Sequence, residues 1–170
     1  MPRLFFACWP SEDAARELAR LAPEVATRSG GRPVPAGKIH LTLAFLGDIG
    51  DERFAALEAA ACEVHGEPFT LVLDRLGAFR RAGVAWIGAS DPQPALVRLQ
   101  AGLATALAAR DFELEARPFA PHVTLARRVE RPIRDEAVAP LAWRVTDFAL
   151  VRSVLGTGRY ETLRRWPLAG

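Results

Sequence analysis

The 170-residue chain has three histidines, two cysteines, one tyrosine, one methionine and one lysine. Cys8 and Cys62 form no C-x-x-C and fall in different predicted elements. Nothing in this points to a disulfide framework, and both read as buried small apolar residues in a reducing compartment. No run approaches the ~20 apolar residues of a membrane span. The opening "MPRLFFACWPSEDAAR" lacks the length and flanks of a secretory signal, so a cytoplasmic location is expected. No G-x-x-x-x-G-K-[ST] or G-x-G-x-x-G occurs, so neither ATP nor a dinucleotide is implied. No G-x-S-x-G elbow occurs either. Net charge is only +2, which does not by itself indicate nucleic acid.

What is present is an ordinary globular composition, 50% hydrophobic and 25% charged, long enough to bury a core without staples. Arginine supplies 21 of the 22 basic residues, which reads as composition bias before function. The pattern predicts a strand at "RLFFACW", stopped by Pro10, then a helix from Ser11 to Gly30-Gly31. A strand "KIHLTLAFLG" (38–47) and a helix over 51–66 follow. Next comes a hairpin of "PFTLVLDRLGAF" and "GVAWIGA" around "RRAG". A second helix-first series starts at Asp91-Pro92, with Leu96, Leu99, Leu103 and Leu107 as its stripe. Strands "FELEAR" and "HVTLARRV" come after it, then a short helical stretch "RDEAVAPLAW", then strands 144–156 and 160–168. Without strict strand–helix alternation, this favours an α+β fold with mostly antiparallel sheets. The repeated order of helix, His-x-Thr strand, connection and strand pair points to a duplicated unit.

Two of the three histidines carry the duplication. "HLTL" at His40 recurs as "HVTL" at His122, 82 residues on. A lone His among apolar residues is ordinarily a packed one. With eight threonines in 170 residues, however, two such pairs among three histidines arise by chance about once in a hundred. In a strand, His40 and Thr42 share one face while Ile39, Leu41 and Leu43 take the other; His122 and Thr124 oppose Val123 and Leu125 in the same way. Two imidazoles in one cleft divide the work of general base and general acid, and two hydroxyls can steady an anion between them. That suits in-line displacement at phosphorus, although the residues alone do not say which histidine is the acid. A metal site is the rival use of two histidines, but no third ligand is spaced for it, and His65 reads as surface. Arg127 is a candidate bidentate phosphate contact. Strict alternation puts it on the face opposite His122 unless the strand bulges or ends there. Lys38 reads as a solvated charge, with a place on the rim as its other reading. Phe5 and Phe45 read as core, and Arg159 and Tyr160 as turn residues.

The paired H-x-T-x motifs, with "RLFFA", "KIHLTLAFLGDI", "LGAF…VAWIG", "RPFAPHVTLAR" and "LVRSVLG…RYETLRRWPL", resemble the 2H phosphoesterase superfamily, specifically its bacterial RNA 2′,3′-cyclic phosphodiesterase (2′-5′ RNA ligase) branch. The resemblance runs from residue 3 to 168. It implies one domain over residues 1–170, with two pseudo-symmetric lobes of antiparallel sheet, helices outside, and a central cleft carrying one H-x-T-x strand from each lobe. It implies hydrolysis of 2′,3′-cyclic phosphate ends to 2′-phosphomonoesters, with 2′-5′ ligation as the reverse, and no metal or nucleotide cofactor. On this resemblance His40 is the proton donor, His122 the proton acceptor, and Thr42, Thr124 and Arg127 bind substrate. The implied partner is RNA or an oligonucleotide with a cyclic phosphate end, met by a monomer away from membranes. Gly37-Lys38 departs from the acid or Asn common before the first motif, which bears on substrate preference. A non-catalytic RNA-end-binding module is the alternative, and a structural protein with coincidental motifs the third reading.

Overall fold

In the computed structural model, which describes residues 2–169, every strand pairing is antiparallel and all nine strands join one sheet. The strands are β1 (Arg3–Cys8), β2 (Arg32–Pro33), β3 (Leu41–Asp48), β4 (Phe69–Phe79), β5 (Val84–Gly88), β6 (His122–Arg127), β7 (Glu136–Val145), β8 (Asp147–Val154) and β9 (Arg159–Pro167). The helices are α1 (Glu12–Ser29), α2 (Phe54–Cys62) and α3 (Pro94–Ala108). The order β7-β4-β5-β6-β3-β1-β8-β9, with β2 added on β6, is a sheet of two arms meeting at β6 and β3. These arms are the two lobes the resemblance implies, and α+β is the class observed.

The duplicated unit is β1-α1-β3 against β5-α3-β6. Each unit is a strand, a helix, and a returning strand beside the first, with the His-x-Thr histidine at the start of that strand in β6 and one residue before it in β3. The hairpin that follows the first motif, β4-β5, lies in the arm of the second; β8-β9, which follows the second motif, lies in the arm of the first. The arms are therefore woven from both halves of the chain.

Helix ends and apolar stripes fall where side-chain chemistry directs them. Gly30 closes α1 in the left-handed conformation (φ 68°), where a Cβ would be strained. At Gly31 a Cβ would stand 2.7 Å from the carbonyl oxygen of Arg127, so glycine lets the helix end abut β6. The stripe Leu96, Leu99, Leu103 and Leu107 is fully buried, as are Leu18 and Leu57. Each such side chain contributes on the order of 1.5–3 kcal/mol.

Several sequence expectations are corrected. The run 38–40 precedes its strand: Ala36–Lys38 is a 3-10 turn and β3 begins at Leu41. The helix expected over 51–66 is a 3-10 turn at Asp51–Arg53 followed by α2, which stops at Cys62; that cysteine, at the helix end, is exposed rather than buried, whereas Cys8 is buried. Phe112–Arg117 is not a strand, because the sheet positions beside β6 are already filled by β5, β3 and β2; residues 113–121 run irregularly instead. The stretch 134–143 is not helical but belongs to β7. Pro140 misleads there: it sits in an edge strand at a bulge, opposite the break between Leu73 and Arg75, where a missing N–H costs no ladder bond. Buried Trp143, paired with Leu71, fixes that strand to the sheet. Thr146 separates β7 from β8, so the strand expected over 144–156 is divided between them.

Candidate active site

The two His-x-Thr segments meet at the junction of the arms. Leu41 pairs with Val123, and this is the one residue pair that joins β3 to β6. Both side chains point into the core and are essentially unexposed. Continuing the antiparallel register one residue either way sets His40 toward Thr124 and Thr42 toward His122. The short pairing lets the strands diverge, and a cleft of about 1010 Å³ opens above them. Its lining includes His40, Thr42, His122, Thr124, Arg127 and Lys38. His65 lies apart and is exposed.

The two imidazoles are held the same way. Nδ1 of His40 is 2.6 Å from the carbonyl oxygen of Lys38, and Nδ1 of His122 is 2.8 Å from that of Ala120. A carbonyl only accepts, so each Nδ1 carries its proton and donates it two residues back. In the neutral rings Nε2 is left with the free lone pair. Nε2 of His40 lies 3.0 Å from Thr42 Oγ1, whose hydroxyl donates to it. Nε2 of His122 has no hydrogen-bond partner among the described residues.

Their surroundings differ. His40 stacks on Phe5 at 4.9 Å between ring centres and is edged by Trp9 and Tyr160, each at 5.6 Å. Trp9 is itself held by its Nε1–H to Thr162 Oγ1 at 3.0 Å. His122 meets the edge of Phe79 at 4.9 Å. Burial is the main cause that pushes His40 down, from 6.5 to about 4, and the positive charges of Arg127, His122 and Lys38 act in the same direction. His122 is lowered as well, chiefly by burial and then by Arg127.

Arg127 reaches this face through a bulge. Ala85 pairs with Ala126 but Trp86 pairs with Thr124, so Leu125 is an extra residue in β6. Leu125 and Ala126 are both buried, and the alternation restarts with Arg127 on the side of the histidines. The first motif repeats the device: Phe6 pairs with Ala44 and Ala7 with Thr42, skipping Leu43. Position five past each histidine is thus turned into the cleft, as Arg127 in one arm and Phe45 in the other. Phe45 is 49% exposed, not core as expected, and lines the cleft with Phe79 and Phe119. The repeated "TLA" after each motif is the sequence signal for both bulges.

Lys38, Arg80, Arg81 and Arg127, all on the lining, have no carboxylate within ion-pair distance among the described residues. Glu115 on the rim is taken by Arg117 at 3.1 Å. The cleft is therefore positive and suited to anions. Among the described residues no three His, Cys, Asp or Glu side chains cluster as metal ligands would. No helix among the described residues is long and apolar enough to cross a membrane.

Known proteins share this architecture. A family model described as the 2′-5′ RNA ligase superfamily matches residues 10–157. An RNA 2′,3′-cyclic phosphodiesterase of Escherichia coli (strain K12) is 35% identical over 173 residues, which cover 98% of this chain and 96% of that protein. Another of the same name, from Thermus thermophilus, is 32% identical, covering 99% of this chain and 91% of that one. The crystal structure of E. coli LigT complexed with 3′-AMP matches the whole of both chains with a TM-score of 0.88 at 34% identity.

Proposed function

This chain belongs to the 2′-5′ RNA ligase superfamily, and from that footing we propose that it is an RNA 2′,3′-cyclic phosphodiesterase that needs no metal and opens the cyclic phosphate to a 2′-phosphomonoester. The observation that carries the reading is the pair of imidazoles, each anchored at Nδ1 by a backbone carbonyl, with Nε2 turned toward one positive cleft.

In this reading the phosphate sits between the motifs, held by Thr42, Thr124 and Arg127. Nε2 of His122 takes a proton from water as the water oxygen bonds to phosphorus. The bond from phosphorus to the 3′ oxygen breaks opposite, and protonated His40 gives its Nε2 proton to that oxygen. The product keeps the 2′-phosphate and gains a 3′-hydroxyl; solvent then returns both histidines to their starting states. The unoccupied Nε2 of His122 supports its role as base. With the 5′-hydroxyl of a second strand in place of water, the same pair would open the cyclic phosphate to a 2′-5′ phosphodiester, the 3′ oxygen again leaving with the proton of His40. Both histidines come from one chain, so a monomer suffices.

The assay is incubation with cytidine 2′,3′-cyclic phosphate in EDTA. The expected product is the 2′-monophosphate alone. Loss of turnover in EDTA sinks the metal-free mechanism, and tight binding without turnover leaves a binding module.

Proton chemistry leaves a second mark. Both histidines lie below their ordinary 6.5 in the free protein, so kcat/KM, which reports the free enzyme, reaches its optimum below pH 6.5. A bound phosphate anion favours imidazolium and raises both, so the alkaline limb of kcat moves to higher pH. Superimposable kcat and kcat/KM limbs would contradict this account.

A further inference from the structure

We infer that RNA on the 5′ side of the cyclic end leaves the cleft over a lane of arginines, and that Arg32 and Arg128, outside the cleft, bind its phosphates. This rests on the RNA-end reading above and adds residues that the reaction itself does not require.

Two local features run against the chain's own preferences. Arg128 has φ 53°, in the left-handed region. Elsewhere the described residues place glycine at five positions of positive φ, and the other exception is Asp111, a residue type that tolerates the conformation. A glycine would suit the backbone at 128 better, yet an arginine is there, directly after Arg127. Arg32 is the second feature. It pairs across the β2–β6 ladder with Arg127, placing like charges opposite each other. Backbone strain and like-charge pairing are tolerated where a site needs them.

The lane is continuous with the cleft. The main-chain N–H of Val129 donates to the carbonyl of Gly83 at 3.0 Å, which ties the turn carrying Arg80 and Arg81 to the residue after Arg128. Arg32 and Arg128 are exposed, and neither has a carboxylate within ion-pair distance among the described residues. Asp135 and Glu136, further along the chain, are paired with Arg75 and Arg28, and Glu130 is the one acid within two residues of Arg128. One cyclic phosphate monoanion needs Arg127 alone; the surplus charge beyond it fits a polyanion. A cyclic phosphate terminates a strand at its 3′ end, so the rest of the strand has to extend away on its 5′ side.

The test compares 2′-CMP with a fluorescent octanucleotide ending in a 2′-phosphate, using wild type and Arg32→Gln/Arg128→Gly. The wild type is expected to bind the octanucleotide at least about tenfold more tightly, and the double variant to lose that advantage. Its log–log salt slope should fall by about 1.4, at ~0.7 per single-strand phosphate contact. Turnover of cytidine 2′,3′-cyclic phosphate should be unchanged, and Arg128→Gly alone should melt no lower than wild type, which keeps the test informative if the double variant folds poorly. Equal octanucleotide affinity in wild type and variant overturns the lane. So does length-independent binding by a wild type that still hydrolyses the mononucleotide, while leaving the enzymatic reading intact. Failure of the wild type to bind or hydrolyse any such end removes both readings together.

Discussion

His122→Ala is expected to lower kcat/KM for cytidine 2′,3′-cyclic phosphate by about a hundred- to ten-thousandfold, the range of a positioned general base. The imidazole offers an unencumbered Nε2 to the cleft, and its Nδ1–H is fixed to Ala120. Apart from His40, whose Nε2 is engaged by Thr42, no other described group on the lining is placed to take a proton at neutral pH: the remaining ionisable neighbours are Lys38, four arginines and the ion-paired Glu115. His40→Ala should cost a similar factor, and the double variant little more than either single one, because acid and base serve one step. Affinity for 2′-CMP separates chemistry from binding. Thr42, Thr124 and Arg127 remain in His122→Ala, so its Kd should stay within a few-fold of wild type. A thermal melt guards against loss of the Phe79 contact being mistaken for loss of a base. A His122→Ala enzyme that retains a tenth or more of wild-type kcat/KM would remove His122 from the reaction.

The residues of this site were legible in the sequence to different depths, for physical reasons. His40, Thr42, His122 and Thr124 could be read because period-two alternation and a repeated motif need no tertiary information, and both pairs line the same cleft. Arg127 could be named but not oriented. Its direction depends on one extra residue, Leu125, opposite β5, and a bulge is a property of a strand pair. Phe45 was misread for the same reason: in one strand alone it is another apolar residue, and only the matching bulge at Leu43 turns it into the cleft. At the level of the fold, α+β and the duplication were visible in element order. The crossing of β4-β5 and β8-β9 into opposite arms was not, since pairing partners far apart in sequence leave no local mark. β7 was hidden by Ala and Pro at positions that an edge bulge tolerates, and its anchor Trp143 lies at the far end of that run.

Acid should unfold this protein partly through His40. The ring is enclosed by Phe5, Trp9 and Tyr160, and Lys38, Arg127 and His122 add positive charge around it, so the folded state disfavours imidazolium. Its folded-state value is about 4 against 6.5 in an ordinary setting. Between those values the unfolded chain binds the proton that the folded chain refuses, so stability rises with pH across that window. It is fully present above about pH 6.5 and is lost as pH falls toward 4. The difference amounts to about 3 kcal/mol at 1.36 kcal/mol per pH unit. His122 acts in the same direction through its own depressed value. Carboxylates also contribute to acid lability: Glu63, held low by Arg110, and Asp74, held low by Ser90, gain protons as pH falls. The informative quantity is therefore the difference between two proteins. Urea unfolding at pH 7 and pH 4.5 should show wild type losing at least about 2 kcal/mol more than His40→Asn, whose side chain does not titrate. Parallel losses would mean that the aromatic enclosure does not keep His40 neutral. The same enclosure bears on the proposed reaction, in which a histidine this reluctant to hold a proton acts as an acid only once a phosphate anion lies beside it. Proton donation is thereby confined to the occupied site.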